Sequence, residues 1–368
     1  PASPSAGDIV AVKDYAGTAS TNNITVARNS SNIEGEASNY VISSPGTSFT
    51  FVYVDATQGW SVVNTGDKND NEPIRKFIVA TGGTETTCGN FKVHTLTYPG
   101  TFCVSCAGNP LGSETVDYMV VAGGGGSGVN RSGGGGAGGW RASSGTASGC
   151  YTAGPAPLVG CVAALSVSVT SYPITVGAGG AAGPPSESAS GNNGSNSVFS
   201  TITSSGGGYG APNQGPVSAG NGGSGGGNGA DTATEFGPGG TGNTPPVSPP
   251  QGNNGAGRSP GQNAGAGGGG AGAAGGSIPS PAVGGTGGNG VTSCISTSPT
   301  AYAGGGGGHG PTTPGSGGTG GGGNGGSGST NATDGTANTG GGAGGGNGPD
   351  GSGKAGGSGI VIIRYKYQ

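Results

Sequence analysis

A tract in which about one residue in three is glycine fills the chain from residue 121 to its end; only 12 of the 95 glycines precede it. Runs such as Gly123–Gly126, Gly133–Gly136, Gly267–Gly270, Gly304–Gly308 and Gly320–Gly323 break the every-third-position repeat that a collagen helix requires. Composition alone would then point to disorder. Two observations oppose it. From Ala142 to Gly353 the only charged residues are Glu187, Asp231, Glu235, Arg258, Asp334 and Asp350, far fewer than a solvated disordered segment carries. The tract also opens on Val116–Val121 and closes on Ile360–Tyr365, segments too apolar to leave in water. The expectation is a bundle of extended polyglycine II strands, with three residues per turn and a rise of about 3.1 Å. Such strands have no internal hydrogen bonds, so every N–H and C=O must pair with a neighbouring strand. The core is then backbone, and the two apolar strands clamp its ends.

The rest of the composition narrows the function. Hydrophobic residues make up 30% and aromatic residues 5% of the chain, which leaves no large side-chain core for the glycine-rich half. A thinly spread net charge of −4 does not suit nucleic acid, which calls for clustered Lys and Arg. No apolar run is long enough to cross a bilayer as a helix. The chain begins at Pro1 rather than Met, leaving room for an upstream segment. Six cysteines leave the pairing open: Cys88 with Cys103 or Cys106, Cys150 with Cys161, or free thiols.

Read in order, residues 8–12, 23–27, 40–42, 48–54 and 60–63 alternate apolar and polar side chains between Gly, Asn and Ser, the pattern of short half-buried strands. They form a small all-β module over 1–67, with so little apolar surface that copies are expected to associate. Residues 68–115 read as a charged linker with a strand at 77–80, then a β-hairpin: strands 91–97 and 101–105 joined at Tyr98-Pro99-Gly100. Residues 116–368 are the glycine-rich domain, with inserts at 140–171, 231–251, 277–283, 291–302, 309–314 and 329–339. The fold class is mainly β with essentially no helix.

Two sets of segments resemble known proteins. GDIVAVKDYAGTASTNNITVARNSSNIEG followed by SFTFVYVDATQGWSVVN, over about residues 7–64, resembles a β-module of bacteriophage tail fibres. FKVHTLTYPGTFCVSCAGN running into VDYMVVAGGGGSG, then YPITVGAGG (172–180), GNNGSNSVFSTITSSGGGYG (191–210) and GGSGIVIIRYKYQ (356–368) resemble the glycine-rich domain ending many phage tail fibres, including those of marine cyanobacterial viruses. The polyglycine II adhesins tipping T-even-like long tail fibres are similar. The resemblance implies a virion structural protein, a homotrimer on an external appendage, meeting other phage tail proteins and a host-surface glycan or outer-membrane protein. The alternative is a non-adhesive spacer of the tail, baseplate or capsid.

Chemistry-bearing motifs are sparse. Gly348 to Lys354 matches most of a phosphate-binding loop, but Ala355 replaces the required Ser or Thr and a strand follows instead of a helix. Gly222-Gly223-Ser224-Gly225-Gly226 fits a nucleophile elbow without the strand and helix that define one. Cys103 and Cys106 point to opposite faces of a strand and lack a second pair to complete a zinc site. His94 reads as a half-exposed strand residue. Carboxylate pairs such as Asp55/Asp67 and Asp231/Glu235 have nothing around them to tune a pKa or hold a sugar, so neither catalysis, cofactor nor metal is expected. Recognition is expected from large groups on loops: Trp140, Arg141, Tyr151, Phe236, Arg258, Tyr302 and His309, whose aromatic faces and polar heads suit glycans or protein loops.

Overall fold

The computed structural model describes residues 1, 3–66, 75–149, 151–160, 162–185, 189–213, 218–230, 237–346 and 352–368. The chain divides into two units, Pro1–Lys76 and Phe77–Gln368.

In the first unit, β1 (Ile9–Lys13), β4 (Ser48–Asp55) and β5 (Gly59–Gly66) form an antiparallel sheet in the order β1-β4-β5, and β2 (Ile24–Val26) pairs with β3 (Tyr40–Ile42). All five strands fall where alternation predicts them. The core is small: Ile33, Phe51 and Trp60 are buried, with Val10, Val12, Tyr40, Phe49 and Tyr53 packed around them. Tyr40 meets Phe49 and Phe51 edge-on at 5.4 Å. Gly59 has a left-handed φ of 73°, and a Cβ there would fall 1.9 Å from the Asn32 carbonyl oxygen, so the Gln58-Gly59-Trp60 segment fixes the crossing of two chain segments. Ile9 and Val63 remain 66% and 60% exposed, as expected of a module short of apolar partners.

The second unit begins with β6 (Ile78–Thr81), β7 (Thr84–Cys88), β8 (Phe91–Leu96), β9 (Gly100–Ala107), β10 (Thr115–Val121) and β11 (Trp140–Ala142). A single helical turn, α1 (Ala156–Val159), precedes β12 (Leu165–Ser166), β13 (Ser171–Thr175), β14 (Ser197–Phe199) and β15 (Ile202–Ser204). Then come β16 (Val291–Ser293), β17 (Thr300–Tyr302) and β18 (Ile360–Lys366). Two sheets face each other, one ordered β11-β10-β18-β8-β7 with β12 also on β10, the other β15-β14-β13-β9-β6. The expected hairpin at 91–105 is therefore corrected. β8 bonds β7 and β18 while β9 bonds β6 and β13, so the turn at 98–100 carries the chain from one sheet to the other. Residues 77–115 belong to this second unit.

The clamp forms as the two apolar segments predict. β10 and β18 pair antiparallel, with Asp117 opposite Arg364 and Val121 opposite Ile360. Because side chains alternate along a strand, the pair supplies two cores. Val116, Tyr118, Val120, Val361, Ile363 and Tyr365 face the second sheet and pack with Leu96, Phe102, Ile174 and Phe199. Met119, Val121, Ile360 and Ile362 face the glycine tract and pack with Ala137, Trp140, Ala271, Val291, Tyr302 and Ala303. His94 is fully buried in the first core rather than half-exposed: its ring stacks on Tyr365 at 5.5 Å. One ring nitrogen lies 2.7 Å from the Gly82 carbonyl oxygen and the other 3.1 Å from the Tyr365 hydroxyl. Cys88, Cys103, Cys106 and Cys294 are free thiols; Cys150 and Cys161 lie outside the described residues.

Beyond the clamp the glycine tract is a hexagonally packed polyglycine II bundle. The central strand, 132–140, shows its rule. Gly133, Gly136 and Gly139 donate to Ala211, Gly208 and Ser205; Gly134 and Ala137 donate to Ala266 and Gly269; Gly135 and Gly138 donate to Ala343 and Gly340. Every third N–H returns to the same neighbour, three residues further along, at 2.7–3.0 Å. The carbonyls of Gly134, Gly135 and Gly136 accept from Gly227, Gly306 and Gly125, three further strands, which makes six neighbours. Strand 304–310 repeats the pattern, with Gly304, Gly307 and Gly310 donating to Gly320, Gly323 and Gly326. This spacing leaves no room for a side chain at the glycine positions: a Cβ on Gly134 or Gly135 would sit 2.1 Å from a carbonyl oxygen of an adjacent strand. At the rim, asparagine amides stand in for backbone. The Oδ1 atoms of Asn193, Asn196, Asn221, Asn254, Asn289 and Asn324 each accept from a backbone N–H of another strand.

Three outcomes are expected. Gly135→Ala, which drives a methyl group into the Gly125 carbonyl, should cost about 1–3 kcal/mol or more in urea unfolding. Gly328→Ala, whose Cβ meets nothing nearer than 3.8 Å, should stay within about 0.5 kcal/mol. Deleting Ile360–Gln368 removes a strand shared by both cores, and limited proteolysis should then cut throughout 121–359; an unchanged protease-resistant fragment would refute the clamp.

Candidate binding surface at the far end of the bundle

The bundle strands run back and forth between two ends. One end meets the sheets and carries 140–149, 151–160, 162–171, 243–250 and the hairpin of β16 and β17. The other is built from the turns at 127–132, 258–264, 279–284, 310–315 and 328–332, and the described residues flanking 186–188, 214–217, 231–236 and 347–351 lie there too. Since the chain enters this unit at β6 in the second sheet, this second set of turns is the one remote from that entry.

The structure separates the expected recognition residues between these ends. Trp140 is 1% exposed and Tyr302 is 4% exposed, both in the core between clamp and bundle, so the expectation of aromatic faces displayed on loops is corrected for them. Trp140 begins β11 directly after a bundle strand, and its indole lies against Gly154 and Val291, where a Cβ on Gly154 would meet it at 2.7 Å. Arg141 is half-buried at the edge of the same sheet, its Nη1 3.5 Å from the Thr203 carbonyl oxygen. Tyr151 is half-buried against Arg364, with the guanidinium 5.0 Å from its ring centre; burial first, and then the Asp117 charge, hold its hydroxyl in the protonated form. Phe236 lies outside the described residues.

Arg364 belongs to a buried polar cluster that the sequence reading missed. Asp117 accepts from Ser143 Oγ at 2.6 Å and from Ser148 N and Oγ at 2.8 and 2.6 Å. Arg364 Nε donates to the Ser148 carbonyl at 3.1 Å, and its guanidinium sits between the Phe91 and Tyr151 rings. Ser148 thus bridges two charges on paired strands and ties the 143–149 loop to the clamp. The signal was present: one acid and one base inside two otherwise apolar strands must find partners once buried.

Arg258 and His309 lie at the far end. Arg258 is 4% exposed and donates from Nη1 to the Gly229 carbonyl at 3.2 Å, so it braces two bundle strands. His309 ends the run Gly304–Gly308 and is also 4% exposed. Its N–H donates to Ser132 and its carbonyl accepts from Gly265. Its Nδ1 is buried without a hydrogen-bond partner among the described residues. Beside it, Asn130 and Arg131 both take a left-handed φ of 54°, reversing the chain before the central strand. Arg131 Nη1 donates to Asn263 Oδ1. With Pro311 and Gly328 these residues line an open cleft of about 180 Å³. Neither Arg131 nor Asn263 was singled out from sequence, because nothing local says which turns meet.

A family model described as a glycine-rich domain matches residues 96–366, well over half the chain. The chain belongs to this glycine-rich domain family. The matched region begins on the last residue of β8 and ends on the last residue of β18, so the family unit includes most of the sheet cap as well as the glycine tract. No curated protein matches the chain.

Burial, aided by the Arg131 charge, pushes the His309 imidazole down to about 4, and burial also lowers His94. Both fall below the ordinary value of about 6.5, so below that pH the unfolded chain binds more protons than the folded one. Stability present above pH 6.5 is lost as pH falls toward 4, and His309 alone accounts for roughly 3 kcal/mol. Urea midpoints of the full chain should drop over this window, and His309→Gln should flatten the profile.

Proposed function

We propose that this chain is a structural protein of a bacteriophage virion, a tail-fibre adhesin that presents the turns at the far end of its glycine bundle to a host-surface glycan or outer-membrane protein. The observation that carries the reading is the separation of scaffold from turns. The bundle holds itself by backbone hydrogen bonds, so its turns differ in length and composition without disturbing a side-chain core. One set of them lies at the end remote from the point where the chain enters. The segments resembling phage tail fibres, in both halves of the chain, supply the virion context. The small core of the first unit and its exposed Ile9 and Val63 favour association through that unit, and a homotrimer would multiply weak contacts by avidity.

Fluorescently labelled protein spanning residues 1–368, incubated with marine cyanobacterial strains, tests the reading. Adsorption to at least one strain is expected. Replacing 311–314 and 328–331 with Gly-Ser segments of equal length should abolish adsorption, whereas replacing 296–299, at the sheet end, should leave it intact. Adsorption indifferent to the far-end turns would overturn the assignment of that surface, and a chain that adsorbs to none of the strains would favour a spacer. Light scattering should report three chains per particle.

A further inference from the structure

We propose that Asn193, Asn221, Asn254, Asn289 and Asn324, on the rim of the bundle, are sites of self-modification held unreactive only while the strands stay paired, so that a long enough opening is recorded as an irreversible change in the backbone. Nothing in this depends on the attachment reading. Each of these asparagines is followed by glycine, and the packing demands that glycine: a Cβ at 194, 222, 255, 290 or 325 would lie 1.9–2.4 Å from a backbone oxygen of another segment. Asparagine before glycine is the dipeptide whose amide cyclises most readily, because no side chain shields the attacking backbone nitrogen. The five asparagines are exposed, so water and hydroxide reach them. Burial is not what protects them.

The chemistry follows from the residues. The nitrogen of the glycine bonds to the asparagine Cγ, the Cγ–Nδ2 bond breaks, and the amide leaves as ammonia with the proton that the glycine nitrogen gives up. Water then opens the cyclic imide. Opening at Cγ leaves aspartate; opening at the former peptide carbonyl leaves isoaspartate, whose backbone runs through Cβ and Cγ and is longer by a methylene. In the folded chain both reacting groups are pinned. Asn193 Oδ1 accepts from the Tyr209 N–H at 2.9 Å while the Gly194 N–H donates to the Gly207 carbonyl at 2.9 Å. Thr241 serves the next pair alone, giving its N–H to Asn221 Oδ1 at 2.7 Å and accepting from the Gly222 N–H at 3.1 Å. Thr319 does the same for Asn289 and Gly290 at 3.2 and 2.8 Å. Gly242 and Gly240 hold Asn254 and Gly255, and Gly317 and Gly315 hold Asn324 and Gly325. One neighbouring strand thus holds the amide and its attacker at once, and cyclisation requires that strand to open. Aspartate formed there keeps an oxygen for the same N–H. Isoaspartate does not fit, because the added methylene takes every later donor out of the threefold register. Two further Asn-Gly pairs stand outside the claim: Asn228 is held through Nδ2, on the Pro238 carbonyl, and Asn347 lies outside the described residues.

The test is to age the chain of residues 1–368 at pH 8 in buffer and in urea, locating aspartate and isoaspartate by mass-spectrometric peptide mapping. The five sites should convert more slowly in buffer by about tenfold or more. Asn196, a rim amide that accepts from the Gly206 N–H at 2.9 Å but is followed by Ser197, should lag behind them in urea. When the buffer-aged chain is divided by limited proteolysis, isoaspartate should concentrate in the cut fraction. Thr241→Pro removes one pin, at a strand position where the φ of proline is that of polyglycine II, and should accelerate conversion of Asn221 alone. Should that variant fail to fold, the buffer and urea rates and the proteolysis decide. Equal rates in buffer and urea, an unchanged Asn221 rate in folded Thr241→Pro, or isoaspartate spread equally between cut and resistant chains would overturn the proposal.

Discussion

The hydrogen bond between an N–H and a carbonyl of a neighbouring strand, recurring at every third residue, is the interaction on which the rest of this structure depends. In a β-sheet each strand has two neighbours, and its faces are left for side chains. Here the threefold turn spreads donors and acceptors around the whole strand, so 132–140 has six neighbours and no face at all. Burial follows from backbone alone. Glycine loses more conformational freedom on folding than any other residue, and each net hydrogen bond contributes only about 0.5–1.5 kcal/mol. The arrangement is therefore close to balance, and its ends need help. β10 and β18 give that help because each is apolar on both sides: one side faces the second sheet, the other faces alanines of the bundle.

The division of labour explains where chemistry can sit. The large side chains between the sheets and the bundle are absorbed into packing: Trp140 and Tyr302 into the clamp core, Tyr151 and Phe91 against Arg364. At the far end the side-chain core among the described residues is small, Ile278 with Ala264 and Ala266. Polar groups brought there by the turns meet backbone or one another, and an imidazole nitrogen can be left facing nothing. The cleft at the far end is made by the meeting of turns from distant parts of the sequence, Arg131 with Asn263 and His309, not by a local motif.

Much of the fold was legible in the sequence. The apolar segments at 116–121 and 360–365 predicted their own pairing, and the failure of any collagen period together with the missing charge predicted a packed glycine tract. Other elements were not legible, for definite reasons. β7, Thr84–Cys88, is a solvent-facing edge with no apolar residue to mark it. The Pro-Gly turn at 98–100 marked a reversal truthfully but could not say that β8 and β9 enter different sheets, since that choice is made by β18 and β13. Trp140 was read as a loop residue because glycine surrounds it, yet those glycines pack against a sheet it then joins. Glycine carries no label, so nothing in a run says which six strands will surround it. The rim asparagines left a trace in the repeated Asn-Gly pairs at 193, 221, 254, 289 and 324, which becomes readable only once the amide is seen replacing a peptide group.

The three-residue return of each strand to its neighbour also governs how such a domain can change length. Losing or gaining one residue inside a bundle strand rotates all later donors by about 120°, handing each to the wrong partner, as a frameshift hands each codon to the wrong triplet. Three residues restore the phase and merely lengthen the strand by one turn. Insertions in the turns carry no such arithmetic. Viable length variants among relatives should thus come in threes within the strands and in any number between them, a rule of inheritance written by hydrogen-bond geometry rather than by the identity of any side chain.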